Sequence, residues 1–285
     1  MKLTNQQMKT IIITSISALL ATAVLHAQTP TQLKDRAAAV LKSLETGDAK
    51  AWEQNVSAEK YIQHNLAFPS GRETVMGALP QLKEGGTKVN PRRVLVDGNH
   101  VVLHTEYHLF GGEMIGFDVF RFENGKIVEH WDNLQPKPAA ANPSGHSMTD
   151  GPTEIQDRDK TATNKTLVQN FINDILVAGK MEKLAGYFDG DKYVQHNPQI
   201  GDKVSGLGQA LEALAKQGIT MKYEKTHLLV AEGNFVFAAS EGTFGGKPTA
   251  FFDLWRVENG KIAEHWDVMD TIPARSEWKN PNGKF

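Results

Sequence analysis

The chain contains no cysteine, which excludes disulfides, thiolate nucleophiles and lipid attachment at a cysteine. It has no glycine-rich phosphate loop and no serine nucleophile elbow, so phosphate cradling and serine acyl transfer have no motif to carry them. Charge of one sign is not in excess: 31 Lys and Arg stand against 33 Asp and Glu, a formal net charge of −2. Nothing there suggests nucleic acid as a partner. Long apolar runs are confined to the start of the chain, where "MKLTNQQMKT" is basic and free of acids and "IIITSISALLATAVL" follows, the order of a secretory signal. That run is shorter than the roughly 20 residues a membrane crossing needs. Cleavage is expected near Ala27, giving a signal peptide over 1–27 and a soluble exported product, periplasmic or secreted, with no membrane contact afterwards.

What the chain does have is a repeated sentence. "FDVFRFENGKIVEHWD" (Phe117 to Asp132) returns as "FDLWRVENGKIAEHWD" (Phe252 to Asp267), and "YIQHN" (Tyr61 to Asn65) returns as "YVQHN" (Tyr193 to Asn197). The repeat is far too long for a solenoid unit and suits a small domain, so the chain reads as a duplication. Domain 1 is expected over 31–136 and domain 2 over 163–275, with a linker over 137–162 and a C-terminal tail over 276–285. The proline- and alanine-rich start of the linker reads as extended, and its mixed-charge remainder either lies ordered over one domain or is a floppy connection.

Each unit is helical first and stranded later. Apolar residues at three- and four-residue spacing predict helices over 31–45 and 163–178, stopped near Gly47 and Gly179, with another after each "QHN" segment. Gly- and Asn-bounded strands then form an antiparallel meander. Its last hairpin admits two turns. Asn124-Gly125 as a two-residue turn would put Asp118 opposite Trp131, whereas a three-residue loop from Glu123 to Gly125 would put Asp118 opposite His130. The slip exchanges the faces of the strand. The three-residue loop is the expected turn; with it, Asp118, Phe120, Phe122, Val128, His130 and Asp132 share one side, and Val119, Arg121, Ile127, Glu129 and Trp131 share the other. In the second copy the first side holds Asp253, Trp255, Val257, Ala263, His265 and Asp267.

These residues resemble a known family. "Y-x-QHN" after two helices, followed by a meander ending in "FR-x-ENGKI-x-EHWD", is similar to the SnoaL-like polyketide cyclases of the nuclear transport factor 2-like superfamily. The resemblance implies an α+β fold of two tandem cones, each a curved antiparallel sheet wrapped around about three helices and enclosing a cavity. It places the acid/base aspartate at Asp132 and Asp267 and a second polar cavity position at Asp118 and Asp253. Asn65 and Asn197 fall where related ketosteroid isomerases keep their general base, and an Asn cannot take a proton, which argues against an isomerase of that type.

A carboxylate in an apolar cavity with a second carboxylate beside it is tuned toward the working pH, with His130 or His265 relaying protons or binding a developing enolate. The expected activity is therefore cofactor-free general acid/base chemistry, an aldol-type cyclisation, enolisation or dehydration of a small hydrophobic carbonyl compound, catalysed by Asp132, His130 and Asp118 and by Asp267, His265 and Asp253. His64, Asn65, His104, His108, Phe120, His196, Asn197 and Trp255 are the expected substrate contacts, and His104 and His108 should make the first pocket the more titratable. No metal site is expected. The alternative is a non-catalytic binder of a small apolar molecule, or an assembly module using the outer sheet face. The two copies should also pair within the chain as a pseudo-dimer.

Overall fold

The computed structural model describes residues 28–285, and the expected signal peptide lies outside the described residues. The first unit opens with α1 (Pro30–Thr46), α2 (Ala49–Asn55), the two-residue β1 (Ile62–Gln63) and α3 (Arg72–Glu84), then runs through β2 (Lys88–Asp97), β3 (His100–Leu109), β4 (Gly112–Glu123) and β5 (Lys126–Pro136). Helix α1 starts where the sequence supplies a full capping box, Thr29 and Gln32 each accepting from the other's backbone N–H, with Pro30 in the first turn. It stops at Gly47, whose φ of 72° closes the left-handed cap. Its buried stripe of Leu33, Ala37, Val40 and Leu41 packs on the inner face of the sheet with Val101, Leu103 and Phe120. The second unit repeats the plan with α4 (Thr161–Phe171), a π-helical stretch (Ile172–Val177), β6 (Val194–Gln195), α5 (Val204–Lys216), β7 (Met221–Glu232), β8 (Phe235–Phe244), β9 (Lys247–Glu258) and β10 (Lys261–Thr271).

The sheets run β1-β5-β4-β3-β2 and β6-β10-β9-β8-β7. The meander is antiparallel, as its short turns require, but β1 and β6 add on in parallel and set Gln63 beside His130 and Gln195 beside His265. The architecture is α+β, two tandem cones.

The hairpin turn corrects the expected one. Asn124 and Gly125 both take positive φ, 47° and 78°, the conformation of a two-residue turn that matches strand twist, and Glu123 pairs with Lys126. One residue later β5 carries a bulge at Val128, so Phe122 pairs with Ile127 but Arg121 pairs with Glu129. The extra residue shifts the register again. Asp118 then faces Asp132 and Phe120 faces His130. Because the final register differs by two residues from that of the three-residue loop, the face shared by Asp118, Phe120, Phe122, His130 and Asp132 is unchanged. Ile127 is the residue that moves: it belongs to the inner core with Phe122. The second unit behaves alike, with Ala263 in the bulge and Asp253 opposite Asp267.

The outer faces of the two sheets pack on each other. Phe117, Val119, Ile115 and Trp131 of the first unit share a buried cluster with Phe235, Phe237, Phe252 and Leu254 of the second. Contacts across it are reciprocal. Glu232 accepts from Val96 N and pairs with Lys34, while Asp97 accepts from Ala231 N and pairs with Lys165.

Both connecting segments are part of this arrangement. Residues 147–152 are held by Arg93, whose guanidinium donates to the carbonyls of Thr149, Asp150 and Pro152 and lies over Trp266 at 4.1 Å. Burial pushes Arg93 down to about 10, still protonated at neutral pH. Asn142 donates to Gln195 O and Ile200 O of the second unit, while Asn280 and Asn282 of the tail donate to Asn65 O, Phe68 O and Gln63 O of the first. Each unit thus sends its C-terminal arm over the "QHN" loop of the other.

Candidate active site

In the first unit a cavity of about 400 Å³ lies between the inner sheet face and the helices. Its walls are apolar: Val40, Leu41, Trp52, Val75, Leu109 and Met114 among them, with Phe110 at the rim and 84% exposed. Its polar floor is made by Asp118, His130, Asp132, Gln63 and Asn65.

The hydrogen bonds at that floor fix one proton. Gln63 Oε1 accepts from Asn65 N at 2.9 Å, which identifies it as the oxygen, and the same atom lies 2.9 Å from His130 Nδ1. Nδ1 therefore carries a hydrogen. The other ring nitrogen, Nε2, is 3.0 Å from Asp118 Oδ1, so a single proton is shared between imidazole and carboxylate. Tyr107 Oη donates to Asp118 Oδ2. Burial pushes the Asp118 carboxyl above its ordinary range, assisted by the charge of Asp132, while His130 and Tyr107 oppose the shift.

Asp132 is arranged differently. Its Oδ2 accepts from Asn65 Nδ2 at 2.6 Å. Its Oδ1 makes no hydrogen bond among the described residues, and Lys284 Nζ stands 3.9 Å away. One carboxylate oxygen is thus anchored and the other is open to a ligand.

The second unit reproduces the polar floor with larger aromatic side chains around it. Gln195 Oε1 faces His265 Nδ1 at 3.0 Å, His265 Nε2 faces Asp253 Oδ1 at 3.0 Å, and Asn197 donates to Asp267 Oδ2 at 2.7 Å. Trp255 stands where the first unit has Phe120, stacks on His265 and meets Phe171 edge-on. Phe251 stands where the first unit has Gly116 and stacks on Tyr223 at 4.2 Å. Both aromatic rings are buried. Asp267 Oδ1 is left buried without a partner among the described residues, and burial followed by the charge of Asp253 pushes this carboxyl up.

Four of the expected substrate contacts lie elsewhere. On β3 the inward residues are Leu103 and Tyr107, so His104 and His108 point outward. His104 is buried against Phe117 and accepts from Arg93, and burial beside that cation holds it well below the usual histidine range. His108 pairs with Glu113 near the surface. His64 stacks on Trp131 and bonds Glu129 and Gly283 O, and His196 stacks on Trp266 and bonds Glu264 and Ser147 O. These two histidines fasten each arm to the outer face, outside the cavity. Asn65 and Phe120 do line it, and Asn197 and Trp255 occupy the matching places in the second unit.

Tyr107, Gln63 and Lys284 were not among the expected site residues. Gln63 and Gln195 stood inside the repeated "QHN" and were legible there. A signal for Lys284 was also present, since "NPSG" (Asn142 to Gly145) and "NPNG" (Asn280 to Gly283) mark the two arms as repeats. Tyr107 had none: its counterpart toward Asp253 is Tyr223, which comes from a different strand of the second unit.

Donor atoms of Asp118, His130 and Asp132 lie within 4.8 Å of one another, as do those of Asp253, His265 and Asp267 and of His146, Asp150 and His196. A cation on the first set would have to displace either Asp118 or Gln63 from His130, since both ring nitrogens are engaged.

Comparison with known proteins agrees with the architecture. The SnoaL-like domain matches the chain twice, over residues 37–130 and 168–265. The chain belongs to the SnoaL-like family. A search of the curated proteins found no match. Among solved structures, TsrD from Streptomyces laurentii is 16% identical, with 38% of this chain and 92% of that one covered and a TM-score of 0.34. An LEH-like epoxide hydrolase of M. tuberculosis is 17% identical (37% and 84% covered, TM-score 0.33), and an NTF2-like protein from Cytophaga hutchinsonii is 15% identical (39% and 95%, TM-score 0.32). The SnoaL-like fold hosts several chemistries, so activity has to be argued from the site.

Proposed function

We propose that the first unit is a cofactor-independent general acid/base enzyme acting on a small hydrophobic carbonyl compound. Asp132 takes a proton from the carbon beside the carbonyl through its open Oδ1, and the proton shared by Asp118 and His130 is delivered later, to a leaving hydroxyl or to the alkoxide that ring closure forms. Enolisation uses the first step, and aldol-type ring closure and dehydration use both. The observation that carries the reading is the first unit's polar floor, where the Asp118–His130 pair and the free Oδ1 of Asp132 face a 400 Å³ apolar cavity. Phe110 exposed at the rim supports an apolar guest. The second unit, in this reading, supports the first within a self-sufficient pseudo-dimer, and the chain works after export.

The test is deuterium exchange. A panel of bicyclic ketones such as 1-indanone and 2-tetralone is incubated with the protein in D2O, and α-proton loss is followed by NMR. Exchange should exceed the buffer rate, fall at least about 100-fold in Asp132→Asn, and persist in Asp267→Asn. Ketones that bind with no exchange above buffer would make the protein a binder instead.

A further inference from the structure

The first unit's cavity is completed by the second unit. Asp270, Pro273 and Lys284 all line it, although they come from the end of β10 and the C-terminal arm. Lys284 is the single Lys or Arg among the lining residues. Its side chain is 10% exposed, and its ammonium donates to Asp132 O at 2.7 Å, a carbonyl left free because β1 stops after Gln63. The remaining ammonium hydrogens have no acceptor within hydrogen-bonding distance among the described residues. A buried cation with unused donors beside an open carboxylate oxygen is arranged to receive a negatively charged oxygen.

The other arm sharpens the point. It carries the same Asn-Pro-x-Gly, but the residue after it is His146, which bonds Asp202 at 3.1 Å rather than reaching Asp267. The arm that reaches the first unit's aspartate thus brings a lysine, whereas the matching arm position in the other crossing is a histidine turned to Asp202.

We infer that Lys284 is the oxyanion-binding residue of the first unit's site, supplied in trans by the second unit, and that the ligand it recognises is the enolate form of a hydrophobic ketone. The inference rests on the acid/base reading of the same cavity. The step balances without an added reactant. Asp132 Oδ1 accepts the α-proton, the C–H electron pair becomes the C=C bond, and the carbonyl π pair moves to oxygen. That oxygen carries the negative charge and ion-pairs with the Lys284 ammonium, which gives up no proton. The intermediate then collapses by reprotonation or by attack of its carbon on a second carbonyl.

The experiment uses the full chain with 2-naphthol, a planar stand-in for an enolic oxygen, and naphthalene, which has the same rings and no oxygen. Wild type should bind both and show naphtholate absorbance at a pH where the free probe is neutral. Lys284→Met should lose that absorbance and about tenfold or more in naphthol affinity, the weight of a hydrogen bond to a charged group, while binding naphthalene like wild type. Lys284→Gln should behave as Lys284→Met, and Lys284→Arg should retain most of the naphtholate signal. Naphthol bound equally by wild type and either neutral variant would overturn the assignment of Lys284 and leave the cavity reading standing. Failure of wild type to bind naphthalene would remove the cavity reading, and the assignment with it.

Discussion

Asp267→Asn should stabilise the protein at neutral pH. The carboxylate is 7% exposed, Asn197 satisfies one oxygen, and the other is buried with no partner. Replacing that oxygen by an amide removes a buried charge while the remaining oxygen still accepts from Asn197. The gain is the desolvation penalty of the charge, several kcal/mol for a buried ion, less the about 1–3 kcal/mol that the new amide N–H group costs where it finds no acceptor. Part of the gain is lost because His265, desolvated by burial but raised overall by Asp253 and Asp267, gives up one of its favourable neighbours. A net gain of about 1–2 kcal/mol is expected, and each kcal/mol raises the midpoint by about 2–4 °C for a chain of this size. The sign of the pH dependence follows from the raised folded-state value of Asp267. Below the unfolded value of about 3.9 the group is protonated in both states and imposes no penalty. As pH rises from there through the folded value, the native state holds a proton that the unfolded chain has released, so wild-type stability falls relative to the variant. Urea unfolding from pH 3 to 8 reads this directly: the advantage of Asp267→Asn should be near zero at the acid end and full at the neutral end. A variant no more stable than wild type at pH 7, or an advantage that does not shrink on acidification, would refute the reasoning.

Two further substitutions probe the frame of the site. Arg93→Ala leaves the carbonyls of Thr149, Asp150 and Pro152 without their donor and uncovers Trp266. It should cost about 3 kcal/mol or more and expose the 137–162 segment to limited proteolysis before either cone is cut. Gly116→Ala places a Cβ 2.9 Å from Leu134 Cγ and 3.0 Å from Asn133 O. A loss of about 1–3 kcal/mol by thermal melt, together with weaker naphthalene binding, is expected; an unchanged melt would show that Leu134 moves freely.

Much of this architecture was written in the sequence. A repeat with its acids, imidazole and aromatics in fixed order fixes the duplication, and alternation along a strand fixes which residues travel together. That alternation explains why the inward face of β4 and β5 was legible although the turn was not. The turn and the bulge each move the register, and two moves of odd size restore the parity. Ile127, lying between them, is where the face reading failed.

Other positions needed the folded chain. His64 and His196 sit in the same motif as Asn65 and Asn197, yet the first pair bonds the arms and the second pair bonds the aspartates, because adjacent residues leaving a strand point to opposite sides. The β3 histidines were misplaced for the same reason: alternation says that His104 and His108 share a face, but the register against β4 says which face. Tyr107 and Tyr223 reach equivalent aspartates from different strands, a coincidence of space with no trace in the aligned repeats. By itself, the sequence determined that there are two cones with identical polar floors, since local spacing and alternation suffice for that. That the first floor opens onto a cavity, and that an arm from the other unit brings a lysine to it, was decided by tertiary packing, because the space around Gly116 and the crossing of arms between units depend on neighbours remote in the chain.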